Sequence, residues 1–130
     1  MTAQENAQRI RSGYEAFAAG DLEMVGKLFA PDIRWHIGGR SAISGTYTGQ
    51  DEVFGFFGKL FELTGGTFHI DIHDVLASED HVVVLARESA SRGDRHMEMN
   101  EAHIWHVSDG LAKEFWGFAE DQYESTAFFD

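Results

Sequence analysis

The chain has 130 residues, a formal net charge of -12, 43% hydrophobic residues and no cysteine. The surplus of carboxylates excludes a nucleic-acid binder that tracks phosphates with clustered Lys and Arg, and argues against docking on anionic membranes. The lack of cysteine excludes disulfides, thiolate nucleophiles and thiolate metal sites. The length fits one domain spanning residues 1–130. Eleven Phe and three Trp can fill a core and wall a pocket. The opening MTAQENAQRI carries no apolar signal region, and no apolar run is long enough to span a membrane, so the expected location is the cytoplasm.

In chain order, Ala7, Ile10, Tyr14 and Phe17 recur at helical spacing, and Gly20 ends that helix. Asp21 is placed to cap a second helix with Leu22, Val25, Leu28 and Phe29 on its apolar face, closed by Pro31. The stretch IRWHI alternates as a strand. Ile33, Trp35 and Ile37 share one face, Arg34 and His36 the other, and Gly38 and Gly39 break it. Thr48 is expected to cap a third helix with Asp51 and Glu52 in its first turn and Val53, Phe56, Phe57, Leu60 and Phe61 on its apolar side.

From Gly66 onward the period is two. Phe68, Ile70 and Ile72 alternate with His69, Asp71 and His73. HVVVLARESA, HMEMNEAHIWHV and LAKEFWGFAE read as strands joined by the turns SRGDR and SDG, and a short helix is expected over 121–129. Helices followed by meandering strands predict an α+β fold, a curved and mostly antiparallel sheet wrapped around three N-terminal helices as a cone-shaped barrel with an apolar interior.

YEAFAAGDLEMVGKLFAPDIRWHIGG, SGTYTGQDEVFGFFGKL and HIWHVSDGLAKEFWGF, in that order and spacing, resemble the SnoaL-like branch of the nuclear transport factor 2-like (cystatin-like) superfamily. Ketosteroid isomerases, limonene epoxide hydrolases and polyketide cyclases belong to it, beside many proteins of no known activity. The resemblance implies the cone-shaped barrel, and a homodimer through the outer face of the sheet. Because the fold hosts many chemistries, function has to come from the site.

The isomerase pattern has a carboxylate base on the first strand, a tyrosine on the first helix and a neutral carboxylic acid on a late strand. Counting from Gly20–Asp21 puts the base position at Ile37, whereas counting back from Ser44–Gly45 puts it at His36, an imidazole suited to proton transfer near neutrality. The strand alternation turns His36 away from Trp35, and a bulge at Gly38 would turn it back. The tyrosine position falls on Gly13 or Tyr14, and the late-strand acid on Asn100 with Glu101 beside it. Asn100 would donate to an oxyanion; Glu101 facing an apolar interior would act as an acid. The resemblance places Trp116 and Phe118 on the pocket side, where with Trp35 they would form an aromatic lining. Asp121 is either an acid–base group at the pocket mouth, as in SnoaL-like cyclases, or the cap of the last helix.

Two readings follow. One is cofactor-free acid–base chemistry, of isomerase, cyclase or hydrolase type, on a small apolar or amphipathic molecule related to polyketides, steroids or terpenoids. The other is a lipophilic-ligand binding or accessory protein without chemistry. No metal site is expected, because His69 and His73 lie about 13 Å apart on a strand and His103 and His106 point to opposite faces. The RGD at 92–94 is a turn, and no glycine-rich segment has phosphate-loop spacing.

Overall fold

A computed structural model describes all 130 residues. The helices are α1 (Ala3–Ala18), α2 (Leu22–Leu28), α3 (Gln50–Leu63) and α4 (Gln122–Phe129). The strands are β1 (Phe29–Ile37), β2 (Gly45–Thr48), β3 (His69–Ala77), β4 (His81–Arg92), β5 (Arg95–Ser108) and β6 (Leu111–Ala119). They form one open six-stranded sheet in the order β2-β1-β6-β5-β4-β3. All pairs are antiparallel except β1 with β6, which is parallel. No helix is long and apolar enough to cross a membrane.

Local chemistry explains most boundaries. Thr2 and Glu5 form a capping box on α1, satisfying two otherwise unpaired amides. Asp21 Oδ1 accepts from the Met24 amide at the start of α2. The β5–β6 hairpin turns at Asp109 and Gly110, both at positive φ (53° and 77°), the twist that two-residue hairpins favour.

Two expectations change. The chain is already extended at Phe29, so Pro31 lies within β1 and does not close α2, and Leu22 is exposed. The cap of α3 is Gly49 at φ 85°, not Thr48; Thr48 sits in β2, and its amide donates to the Glu52 carboxylate. The segment 45–48, whose short GTYT carries little apolar signal, pairs with β1 as an edge strand.

The core lies between the helices and the concave face of the sheet. Ile33, Val53, Val82, Val84 and Met97 are buried there among aromatic rings. Strand period sorts the two faces. Val82, Val84, Ala86 and Glu88 of β4 point inward, as do Glu101, His103, Trp105 and Val107 of β5 and Phe115 of β6. The alternate residues form the outer face.

Candidate functional site

Register builds the site. In the β4–β5 ladder Ala86 pairs with Glu101, Val84 with His103 and Glu88 with Met99, so Glu88, Glu101 and His103 converge on the inner face. Tyr14, one turn after Ile10 on the apolar side of α1, reaches down onto the same spot.

His103 Nε2 lies 3.0 Å from Glu88 Oε2 and 3.2 Å from Glu101 Oε1, while Nδ1 lies 2.6 Å from Tyr14 Oη. Trp105 Nε1 donates to the same Tyr14 oxygen at 3.1 Å. The side chains of His103, Glu88 and Glu101 are only 5%, 10% and 11% exposed. Two carboxyls and an imidazole are therefore held nearly dry.

Burial raises the Glu88 pKa to about 8, helped by the Glu101 charge and opposed by His103. Burial also works against ionised Glu101, yet hydrogen bonds from His103 and Glu88 outweigh it and leave its pKa below the usual value. For His103, burial opposes the cation, but Tyr14, Glu101 and Glu88 hold the pKa well above that of free imidazole. Burial pushes the Tyr14 phenol up, despite the opposing pull of His103 and Trp105.

These directions favour a protonated Glu88 beside a charged His103–Glu101 pair. With both ring nitrogens protonated, His103 Nδ1 donates to Tyr14 Oη, as Trp105 does. Both lone pairs of the phenol oxygen are then occupied, and its own proton is free for an acceptor in the cavity.

That cavity, about 110 Å³, lies under the cluster and is mostly apolar, walled by rings that include Phe17, Phe57, Trp35 and Phe115. Gly38 and Ser41 of the loop after β1, and Gln122 and Ser125 of α4, also line it. Trp35 lies flat on Phe115 at 3.8 Å between centroids, and its indole N–H is buried with no acceptor. A buried donor without a partner costs about 1–3 kcal/mol.

Glu88, Glu101 and His103 offer ligand atoms within 4.8 Å of one another and are the residues that could hold a metal ion. The hydrogen bonds that would have to be given up already satisfy them, with protons doing a cation's work.

Of the residues singled out in the sequence, Tyr14, Trp35 and Glu101 line the cavity, as do Gly13 and Ile37, so the count from Gly20–Asp21 puts an apolar Ile37 at the base position. His36, Trp116, Phe118, Asn100 and Asp121 lie elsewhere. His36 is on the outer face, since Trp35 takes the inner position beside it. Its Nε2 meets Glu114 Oε2 at 2.6 Å, its Nδ1 meets Thr46 Oγ1 at 2.9 Å, and its ring stacks on Trp116. Trp116 and Phe118 are also outside, because Phe115, Gly117 and Ala119 take the pocket side of β6. Asn100 is exposed and accepts from Arg87, which also faces outward. Asp121 caps α4, its Oδ1 accepting from the Glu124 amide.

Glu88, His103 and Trp105 were missed. The signal for Glu88 is its place in the apolar alternation Val82, Val84, Ala86, Glu88, Ala90, where a lone carboxyl continues a buried row.

The fold is that of the nuclear transport factor 2-like, or cystatin-like, proteins. Residues 10–115 match the model of the SnoaL-like domain, and the chain belongs to that family. An uncharacterised protein of Mycobacterium tuberculosis is 30% identical over 129 residues, 98% of each chain. The structure of Bal32a, from a soil-derived mobile gene cassette, superposes with a TM-score of 0.95 at 32% identity, covering 98% of each chain. A protein of unknown function with a cystatin-like fold from Xanthomonas campestris gives a TM-score of 0.90 at 29% identity, covering 95% of this chain and 97% of that one.

Proposed function

We propose that this SnoaL-like protein is a cofactor-free proton-transfer enzyme acting on a small, largely apolar carbonyl compound. The observation that carries the reading is the Glu88–His103–Glu101–Tyr14 cluster, the main polar feature of an apolar cavity. Two carboxyls with opposite pKa displacements supply a base and an acid at the same pH.

In this scheme the carbonyl oxygen accepts the Tyr14 hydroxyl proton as a hydrogen bond. The Glu101 carboxylate removes a proton from the carbon beside the carbonyl, and the electron pair moves onto oxygen. Tyr14, with the His103 cation behind it, stabilises that charge where water is excluded. Return of the proton from Glu101 to a different carbon completes an isomerisation, or Glu88 delivers its own proton and regains one from Glu101. A cavity near 110 Å³ is somewhat smaller than the roughly 150 Å³ that takes benzene in an engineered core. One ring of a polyketide-, steroid- or terpenoid-like compound would sit at the cluster and the remainder would extend away from it toward α4 and the loop after β1, which also line the cavity.

The test is isomerisation of 3-cyclohexenone to 2-cyclohexenone in D₂O, followed by NMR. Expected is turnover by the wild type that Glu101→Gln reduces by a factor of about 100 or more, the scale of a lost general base. A fold-competent wild type that turns over no faster than buffer overturns the reading. The second reading, a lipophilic-ligand binding protein, rests on the internal satisfaction of the cluster and predicts binding without turnover.

The same reading places a second copy of the chain on the outer sheet face, where Leu76, Leu85 and Phe118 are 51%, 37% and 55% exposed. Exposed apolar side chains grouped on one face favour an interface.

A further inference from the structure

We infer that the Trp35 indole N–H is a ligand anchor, so that the occupant of the cavity carries two acceptor oxygens, one for Tyr14 and one for Trp35. This rests on the cavity being a ligand site, as proposed above, and not on catalysis there.

Trp35 Nε1 is buried and without a partner, whereas Trp105, its neighbour at 5.4 Å between ring centroids, satisfies its own N–H on Tyr14. Native structures rarely leave such a donor unmet. Phe115 covers one face of the ring, the rings of Phe56, Phe57, Phe29 and Trp105 pack against it, and Trp35 also lines the cavity. Water is a poor solution, because a buried water needs two to four polar partners and this wall supplies one. An oxygen carried in on an apolar body needs no further partner.

Tyr14 and Trp35 line the same cavity, and Trp105 packs against both, its ring centroid 6.0 Å from that of Tyr14 and 5.4 Å from that of Trp35. One occupant can therefore meet both donors. The chemical class is a small apolar ring carrying two oxygen functions, such as a dione, quinone or hydroxy-ketone.

The experiment compares cyclohexane-1,4-dione with cyclohexanone as ligands for the full chain. The three tryptophans give three indole N–H signals by NMR, and the Trp35 signal is assigned by its loss in Trp35→Phe or, should that variant not fold, by proximity to Phe115 in the wild type. The expected result is a downfield shift of the Trp35 signal with the dione alone. Trp35→Phe is expected to weaken the dione about tenfold more than it weakens cyclohexanone, the scale of one hydrogen bond. Equal binding of the two ketones with an unmoved Trp35 signal overturns the inference, as does failure of the dione to bind. A protein that meets the expected result but isomerises no cyclohexenone retains this anchor and loses the enzymatic reading.

Discussion

The Nε2 atom of His103 sits 3.0 Å from Glu88 Oε2, with the two side chains 5% and 10% exposed. Such a pair is stable only when its protons are counted correctly. A carboxyl with its pKa raised from 4.5 to about 8 binds a proton in the folded state that the unfolded chain has already released. Folding is therefore favoured at low pH, and that advantage is lost as pH rises from about 4.5 through about 8. His103, raised above 6.5, acts in the same direction: its contribution is complete below 6.5 and disappears as pH climbs through the folded value. Glu101, lowered, acts oppositely and only on the acid side, losing its contribution as pH falls below about 4.5. Urea midpoints should thus decline from pH 5 to 8.5, each group contributing at most about 1.4 kcal/mol per pH unit in its own window. Glu88→Gln should flatten the decline. A wild type whose midpoint rises across this range contradicts the assigned protonation.

Tyr14→Phe removes the oxygen that serves Trp105 and His103 together. Two buried N–H groups lose their acceptor while the ring contacts persist. The expected loss is about 1–3 kcal/mol of unfolding free energy for each group left unpaired, moderated by any water that enters from the cavity. Chemical denaturation measures it. On the enzymatic reading, turnover of 3-cyclohexenone falls further than stability explains, in kcat and not only in KM. A variant as stable and as active as the parent removes Tyr14 from the site.

His36→Ala tests the assignment of faces. His36 pairs with Glu114 and Thr46 on the outer surface, and such partly solvated pairs contribute about 0–1 kcal/mol. Ligand affinity and turnover should match the wild type, with at most a small loss of stability. Loss of activity with the fold intact would return the histidine after Trp35 to the machinery.

Much of this was legible in the chain. Period two in Ile33, Trp35 and Ile37 already turned His36 outward, and the fold built no inward bulge at Gly38 to reverse it. Counting back from Ser44–Gly45 misled because the loop after β1 has its own length. On β6 the alternation separated Trp116 and Phe118 from Phe115 but did not say which set was inside. Large aromatics suit either side, and Gly117 gives no hint of the pocket it lines. On β5 the same ambiguity hid His103, whose role depends on Tyr14 and Glu88, 89 and 15 residues away. Periodicity sorts residues into faces; only the register between β4 and β5 joins those faces into a site.

Across the outer face, Leu76, Val83, Ile104 and Trp116 fall in one cross-strand row, and Leu85, Ala102 and Phe118 in the next. These adjoining rows make one apolar strip, running from β3 to β6 in the first row and from β4 to β6 in the second, where Asp74 of β3 pairs with Leu85, bordered by the ion pairs Arg34–Glu114 and Arg87–Glu98. A sheet face with a two-row apolar centre and charged margins resembles the core and rim of a protein interface. A twofold pairing buries the same strip from both copies, and a stable dimer needs about 1,200 Å² or more in total. Sedimentation at micromolar concentration should give a dimer, and Leu85→Asp with Phe118→Asp should give a folded monomer, because a buried unpaired carboxylate on each copy costs more than the lost contacts alone. The cavity opens on the other side of the sheet, so the monomeric variant should still bind cyclohexane-1,4-dione. A wild type that sediments as a monomer removes the second copy from this face.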